Sequence, residues 1–403
     1  MTFKLNKSLA TMSLAIATAF PAMHANAGAT ISFGEDKSIS VGFGFITSYL
    51  SQEDAAANGN DRSNDFSLNS ARLYVSGSMN KYIKGMLNTE RSGGGQGNWE
   101  VIDANVQLQI TPEIAIWAGR FLSPSDRANM AGPYYSSGGG GGYWANISSR
   151  YGWNGGVIGR DEGVAVVGSA MDDHIGYSFG VFEGDNIFRF SGVGAQSESS
   201  AAATAANADD NLMYAGRLQV AFWDAEPGYY GTGNYFGAKD ILTVGIAARH
   251  KSDGAIATTA VAPAVPTAAN STKGDYSSYS IDFLMEKKNV GPGTLSLEAA
   301  YYDYDTDKVF LAEEGDAYYV GAGYLFNKQI GWGKFMPFAR YQEFDADNNV
   351  KTDRVDVGVN YVMAPYNAVI SAEYQNTGLS GSGVAAGVNK NVDAILISMQ
   401  YQF

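Results

Sequence analysis

Sixteen segments of about ten residues, each alternating apolar with polar or small side chains, recur between Lys37 and Phe403. They centre near Val41, Leu73, Met86, Val106, Trp117, Val166, Gly180, Gln219, Gly245, Phe283, Ala299, Ala322, Ala339, Val357, Ala372 and Ile397. Period-two alternation belongs to strands with one face in an apolar medium and the other in a polar one. The breaks between segments alternate in length. Short ones fall at 79–81, 111–113, 171–174, 288–293, 327–333 and 364–367; long ones fall at 51–65, 91–98, 122–162, 185–210, 253–275, 305–315, 345–351 and 377–391. An even strand count, with turns at one rim and long loops at the other, predicts an all-β fold. The expectation is a transmembrane antiparallel β-barrel of about 16 strands with short periplasmic turns and long external loops. One connection breaks the alternation: 224–240 falls where a short turn belongs. It is either a decorated periplasmic turn or a sign of a different strand count.

The first residues agree with export. Lys4 and Lys7 precede an apolar run from Leu9 to Pro21 and then Ala25, Asn26 and Ala27. This predicts a secretory signal over 1–27, with 28–403 as a single barrel domain. Beyond it no apolar run reaches the length of a membrane helix. Cysteine is absent, which excludes disulfides, thiolate metal sites and thiol catalysis. The net charge of −14 argues against nucleic acid as a partner.

Alternation also assigns faces. It points Arg72, Tyr74 and Ser76 inward, then Tyr82, Lys84, Asn88 and Glu90, then Asp103, Asn105, Gln107 and Gln109. Across the turn near Asn80, Arg72 is expected opposite Asn88. Later strands add Arg217, Gln219, Arg249, Lys251, Asp282, Glu298, Arg340, Arg354, Asp356 and Glu373. An Arg or Lys on the lipid face costs roughly 2–4 kcal/mol at the membrane midplane, so a barrel directs its charges to water. The last strand places Ile395, Ile397, Met399, Tyr401 and Phe403 toward lipid.

The longest aperiodic stretch follows the strand Ile114 to Phe121 and runs from 122 to 162, rich in Arg, Asp, Tyr, Trp and Gly. A loop of that size needs a function. The expectation is that it folds into the barrel mouth and narrows it. Arg120, Asp126, Arg127, Arg150, Arg160, Asp161 and Glu162 are its candidate constriction residues, alongside Arg72, Lys84, Asp103, Arg217, Arg249, Arg340 and Arg354 on the wall. Such charges act either as a transverse field that filters solutes or as ion pairs that knit strands and hold the loop down.

Phe66 to Gly77, Asp103 to Val106 and Trp117 to Phe121 resemble the early strands of the phosphate-selective and related bacterial porins. The resemblance implies a homotrimer of sixteen-stranded barrels, each constricted by an inward-folded third loop, and here the third external loop is 122–162. No Lys occurs between Lys84 and Lys239, whereas phosphate-selective members are rich in pore lysines and arginines. The expectation is an outer-membrane channel for passive diffusion of small hydrophilic solutes or ions, in contact with outer-membrane lipid. One alternative is an anion-specific channel for phosphate or another oxyanion. Another is a plugged surface barrel with an adhesive or structural role.

Enzymatic readings are weaker. Gly176 to Gly180 spells G-x-S-x-G around Ser178, but a nucleophile elbow needs a strand-to-helix turn. Gly138 to Gly142 lacks the Lys and helix of a phosphate loop. Asp303, Asp305, Asp307 and Glu314 have the carboxylate spacing of a calcium loop, with Lys308 where Gly is needed. No catalysis, cofactor or metal is expected.

Overall fold

A computed structural model describes residues 28–34, 36–92, 98–136, 147–149, 159–184, 211–258, 271–388 and 391–403. The strands are β1 (Ala29–Gly34), β2 (Lys37–Gln52), β3 (Asp65–Ser78), β4 (Ile83–Ser92), β5 (Trp99–Thr111), β6 (Ile114–Leu122), β7 (Arg160–Ala170), β8 (Ile175–Phe182) and β9 (Met213–Ala221). They continue as β10 (Ile241–Thr258), β11 (Ser271–Val290), β12 (Gly293–Asp305), β13 (Gly315–Phe326), β14 (Lys334–Ala346), β15 (Val350–Ala364), β16 (Ala368–Ser380) and β17 (Asn391–Gln402). Among the described residues of the third external loop lies one short helix, α1 (Arg127–Ala131).

Strands β2 to β17 pair antiparallel with their sequence neighbours and close when β17 pairs with β2, Ile397 opposite Tyr49 and Gln402 opposite Gly44. Closure leaves β2 to β17 without a free strand edge facing lipid. All sixteen predicted segment centres fall inside these strands. Strand β1 lies outside the prediction: it pairs with β2 alone, Ala29 opposite Val41, just beyond the point where Phe403 exchanges backbone hydrogen bonds with Phe43.

The two faces differ as alternation requires. Leu73, Val164, Phe179, Ile246, Ile281, Val320, Val357 and Ile397 point outward and are exposed. Arg72, Asp103, Gln107, Arg217, Asp282, Arg340, Asp356, Glu373 and Gln400 point inward and are buried.

Two expectations need correction. Arg72 stands opposite Glu90, and Asn88 opposite Tyr74. The turn is longer than predicted because the Asn80 side-chain oxygen accepts from the backbone N–H of both Tyr82 and Ile83, which displaces the register by two residues. Arg120 and Glu162, expected in the bore, lie on the outer face. On β6 the inward positions are Ala115, Trp117 and Phe121, so Arg120 falls on the opposite parity and pairs with Glu162, directly across on β7, at 2.5 Å. Both sit near the external end of their strands, where lipid-face charges cost far less than at midplane. Arg150 lies outside the described residues.

Connection 222–240 keeps the strand count and is a decorated turn. The ladder between β9 and β10 ends with Phe222 N–H to Leu242 O and Asp224 N–H to Asp240 O. From Ala225 to Lys239 the chain leaves the ladder and enters the barrel.

Candidate functional site

The third external loop, called L3 below, descends along the inner wall immediately after β6. Its short helix is capped by Asp126, whose carboxylate accepts from the backbone N–H of Asn129 at 3.1 Å. The same carboxylate accepts from Ser149, from Ser125 and from Tyr302 of β12. All five helical residues are buried. Ala128 and Ile147 pack on an inward aromatic patch of β12 to β14, made of Tyr302, Tyr304, Tyr319 and Phe344. Farther along, Tyr134 reaches the opposite wall. Its hydroxyl meets Ser70, its carbonyl accepts from Gln400, and the Arg72 guanidinium lies 5.0 Å above its ring. L3 thus crosses the bore between β12 and β3.

Arg127 is the centre of the arrangement and is 1 % exposed. Two of its guanidinium nitrogens donate to the Glu226 carboxylate at 2.9 and 2.7 Å, and one also donates to the Thr232 carbonyl. Its backbone N–H donates to Asp282 of β11, which in turn receives both terminal nitrogens of Arg217. Arg217 and Asp282 belong to β9 and β11, with β10 between them. Gly245 makes the bridge feasible: a Cβ there would sit 2.3 Å from the Arg217 guanidinium.

Glu226 comes from connection 222–240, so the loop from one rim meets the connection from the other. Burial pushes the Glu226 carboxyl up, but the Arg127 charge and hydrogen bonds from Arg127 and Tyr235 more than offset this and hold it at about 2, against an ordinary 4.5. A depressed carboxylate contributes stability that is complete above its ordinary value and lost as pH falls through the folded one. Contact between the two segments is therefore expected to be constant from pH 7 to 4.5 and to weaken by roughly 3 kcal/mol between 4.5 and 2. Bilayer conductance followed down this range checks it; a change already complete at pH 6 contradicts it.

The remaining predicted residues fall into separate groups. Asp103, Arg160 and Tyr230 meet on the inner wall, with Asn88 donating to Asp103 at 2.8 Å. Asp161 accepts from the backbone N–H of Gly184 and Glu162 and closes the upper end of β7. Arg340 and Arg354 share Asp356 at 3.2 and 2.8 Å, and Gln342 donates to the same carboxylate. Arg249 lines a small cavity with Asp126, Ser278, Ser280, Tyr302 and Tyr304. Lys84 points inward from β4, half-buried.

Two motifs are accounted for without chemistry. Ser178 is buried at mid-strand opposite Arg217, and His174 and His250 contact the Ala221 carbonyl and Ser277 instead. The Glu314 carboxylate accepts from the backbone N–H of Thr306 and Lys308 and so caps its own loop, while Asp305 accepts from Asp307 N–H.

Sequence reasoning missed Glu226, Tyr229, Tyr230, Thr232, Asn234 and Phe236. A signal for them existed. Strands β6 to β9 are apolar on both faces at Ala115, Trp117, Phe121, Ala165, Phe182, Met213 and Ala215, and an inward apolar patch in a wet lumen needs a cover.

No protein-family model and no curated protein matches the chain. Solved structures do match. Pseudomonas putida OprB in its high-pH structure aligns with a TM-score of 0.61 at 10 % identity, over 91 % of this chain and 94 % of that one. The loop L8 deletion mutant of OmpT, an outer membrane protein of Vibrio cholerae, gives 0.55 at 15 % identity, over 92 % and 100 %. An anion-selective porin from Comamonas acidovorans gives 0.53 at 12 %, over 91 % and 100 %. The fold is that of the outer-membrane porins. At these identities the likeness is one of architecture: a closed sixteen-stranded porin barrel.

Proposed function

We propose that the chain is an outer-membrane porin, a passive channel for small hydrophilic solutes or ions that catalyses no reaction. The observation that carries this reading is the barrel itself, closed, apolar outward and polar inward, with L3 docked across its bore. Such a wall is at home in lipid and encloses water. We extend the proposal to a homotrimer in the bacterial outer membrane, on the resemblance of Phe66 to Gly77 and Trp117 to Phe121 to porin strands.

Charge selectivity is weak in this reading. Arg72, Arg127, Arg160, Arg217, Arg340 and Arg354 each face a carboxylate, so opposite charges cancel across short distances. Specific capture of phosphate or another oxyanion asks for a surplus of positive charge in the bore. Purified protein in planar bilayers should therefore conduct with a reversal potential close to zero in a potassium chloride gradient, and proteoliposomes should swell in small sugars and amino acids. Correctly folded protein that neither conducts nor swells would favour the plugged surface barrel instead.

A further inference from the structure

We propose that connection 222–240 is a removable periplasmic plug, which narrows the bore by docking on L3 and widens it by withdrawing. The proposal rests on the channel reading and adds a second, moving element to the constriction.

The connection is long where the other turns on its rim, at 79–82, 112–113, 171–174, 291–292, 327–333 and 365–367, are short. The extra length spans the bore. At one side Tyr229 and Tyr230 lie on the inward patch of β6, with ring centroids 4.8 and 6.2 Å from Trp117, and the Tyr229 hydroxyl donates to the Leu122 carbonyl. In the middle Glu226 holds Arg127, and the Thr232 hydroxyl and Gly233 N–H both donate to the Tyr135 carbonyl of L3. Beyond it Asn234 donates to Ser296 of β12, and the N–H groups of Tyr235 and Gly237 donate to Glu286 of β11. At the far side Phe236 covers the inward patch Leu325, Met336, Val362 and Val369 of β13 to β16. Thr232 and Asn234 are fully buried.

These attachments are side-chain contacts and single hydrogen bonds, not a strand ladder. Withdrawal of 225–239 leaves every strand pair of the barrel intact, because the β9–β10 ladder ends before it. Gly228 and Gly237, at φ of 104° and 80°, bracket the segment with backbone that only glycine adopts at ease. The two apolar patches favour the docked form, since withdrawal exposes both to water. Glu226 and Arg127 give the docked form its specificity: each is buried, and each leaves the other's charge uncompensated when removed.

The absence of cysteine makes a direct test available. A Cβ on Gly233 would lie 3.3 Å from the Ser136 Cα, within reach of a disulfide. Three proteins are compared with wild type in planar bilayers, after their folding is verified by heat-modifiable electrophoretic mobility. They are the Ser136→Cys/Gly233→Cys pair, a variant with 226–238 replaced by a short Gly-Ser turn, and Glu226→Gln. The short-turn variant should raise single-channel conductance by about twofold or more. Glu226→Gln should move the docked-to-withdrawn ratio on the order of a hundredfold toward withdrawn, seen as long visits to the wide level. The oxidised pair should lose every visit to the wide level and regain them on reduction. Wild-type conductance in the short-turn variant, or no difference between the oxidised and reduced pair, overturns the plug while wild-type conduction upholds the channel. Silence of wild type and short-turn variant alike overturns both.

Discussion

Replacing Arg127 by methionine is expected to loosen L3 and connection 222–240 together, with a loss of about 3–5 kcal/mol in their docking. Methionine fills most of the space but leaves Glu226 buried, with one hydrogen bond from the Tyr235 hydroxyl and no cation at its carboxylate. Asp282 keeps Arg217, so the wall survives while the cross-bore contact does not. Conductance should rise in the single variant, and limited proteolysis should cut within 225–239. Arg127→Met combined with Glu226→Gln removes both charges and should recover part of the docking, because the penalty in the single variant is chiefly the orphaned carboxylate. A single variant with unchanged conductance and protease resistance would show that the ion pair does not hold the two segments.

The second large effect is expected at Asp356→Ala. Arg340, Arg354 and Gln342 all converge on this carboxylate, which is 0 % exposed. Its removal takes from two buried guanidinium groups the carboxylate they share and leaves Glu298 of β12 and Glu373 of β16 as the acids that act on them. Two consequences follow from one cause. Barrel stability should fall by about 3–5 kcal/mol, read from urea unfolding in detergent. The channel should also turn anion-preferring, with a reversal potential shifted away from zero, because positive charge on the β14–β15 wall is no longer matched. Glu373→Gln, which leaves Asp356 in place, should shift the potential less.

Much of the barrel was legible because alternation is a local property. Val355, Asp356 and Val357 announce their faces without reference to any other strand, since lipid and water impose opposite demands on adjacent residues. Arg120 shows where this reasoning stops. Near the strand end, next to Gly119 with its φ of 123°, its parity with Ile116 and Ala118 sends it outward, away from the constriction expected of it. Arg72 shows a second limit: a turn longer than it looked moved its partner from Asn88 to Glu90. Loop residues carry no period at all. Nothing around Glu226 indicates that it meets Arg127, 99 positions away.

By itself the sequence determined a closed, sixteen-stranded barrel, its lipid and lumen faces and the placement of L3, because each follows from side-chain period and break length along a few neighbouring residues. Only the tertiary structure decided which lumenal charges neutralise one another and that connection 222–240 enters the bore to meet L3. Those outcomes depend on strand register around a closed wall and on contacts between segments far apart in the chain, such as Arg127 with Glu226 and Tyr229 with Trp117. No local pattern encodes them.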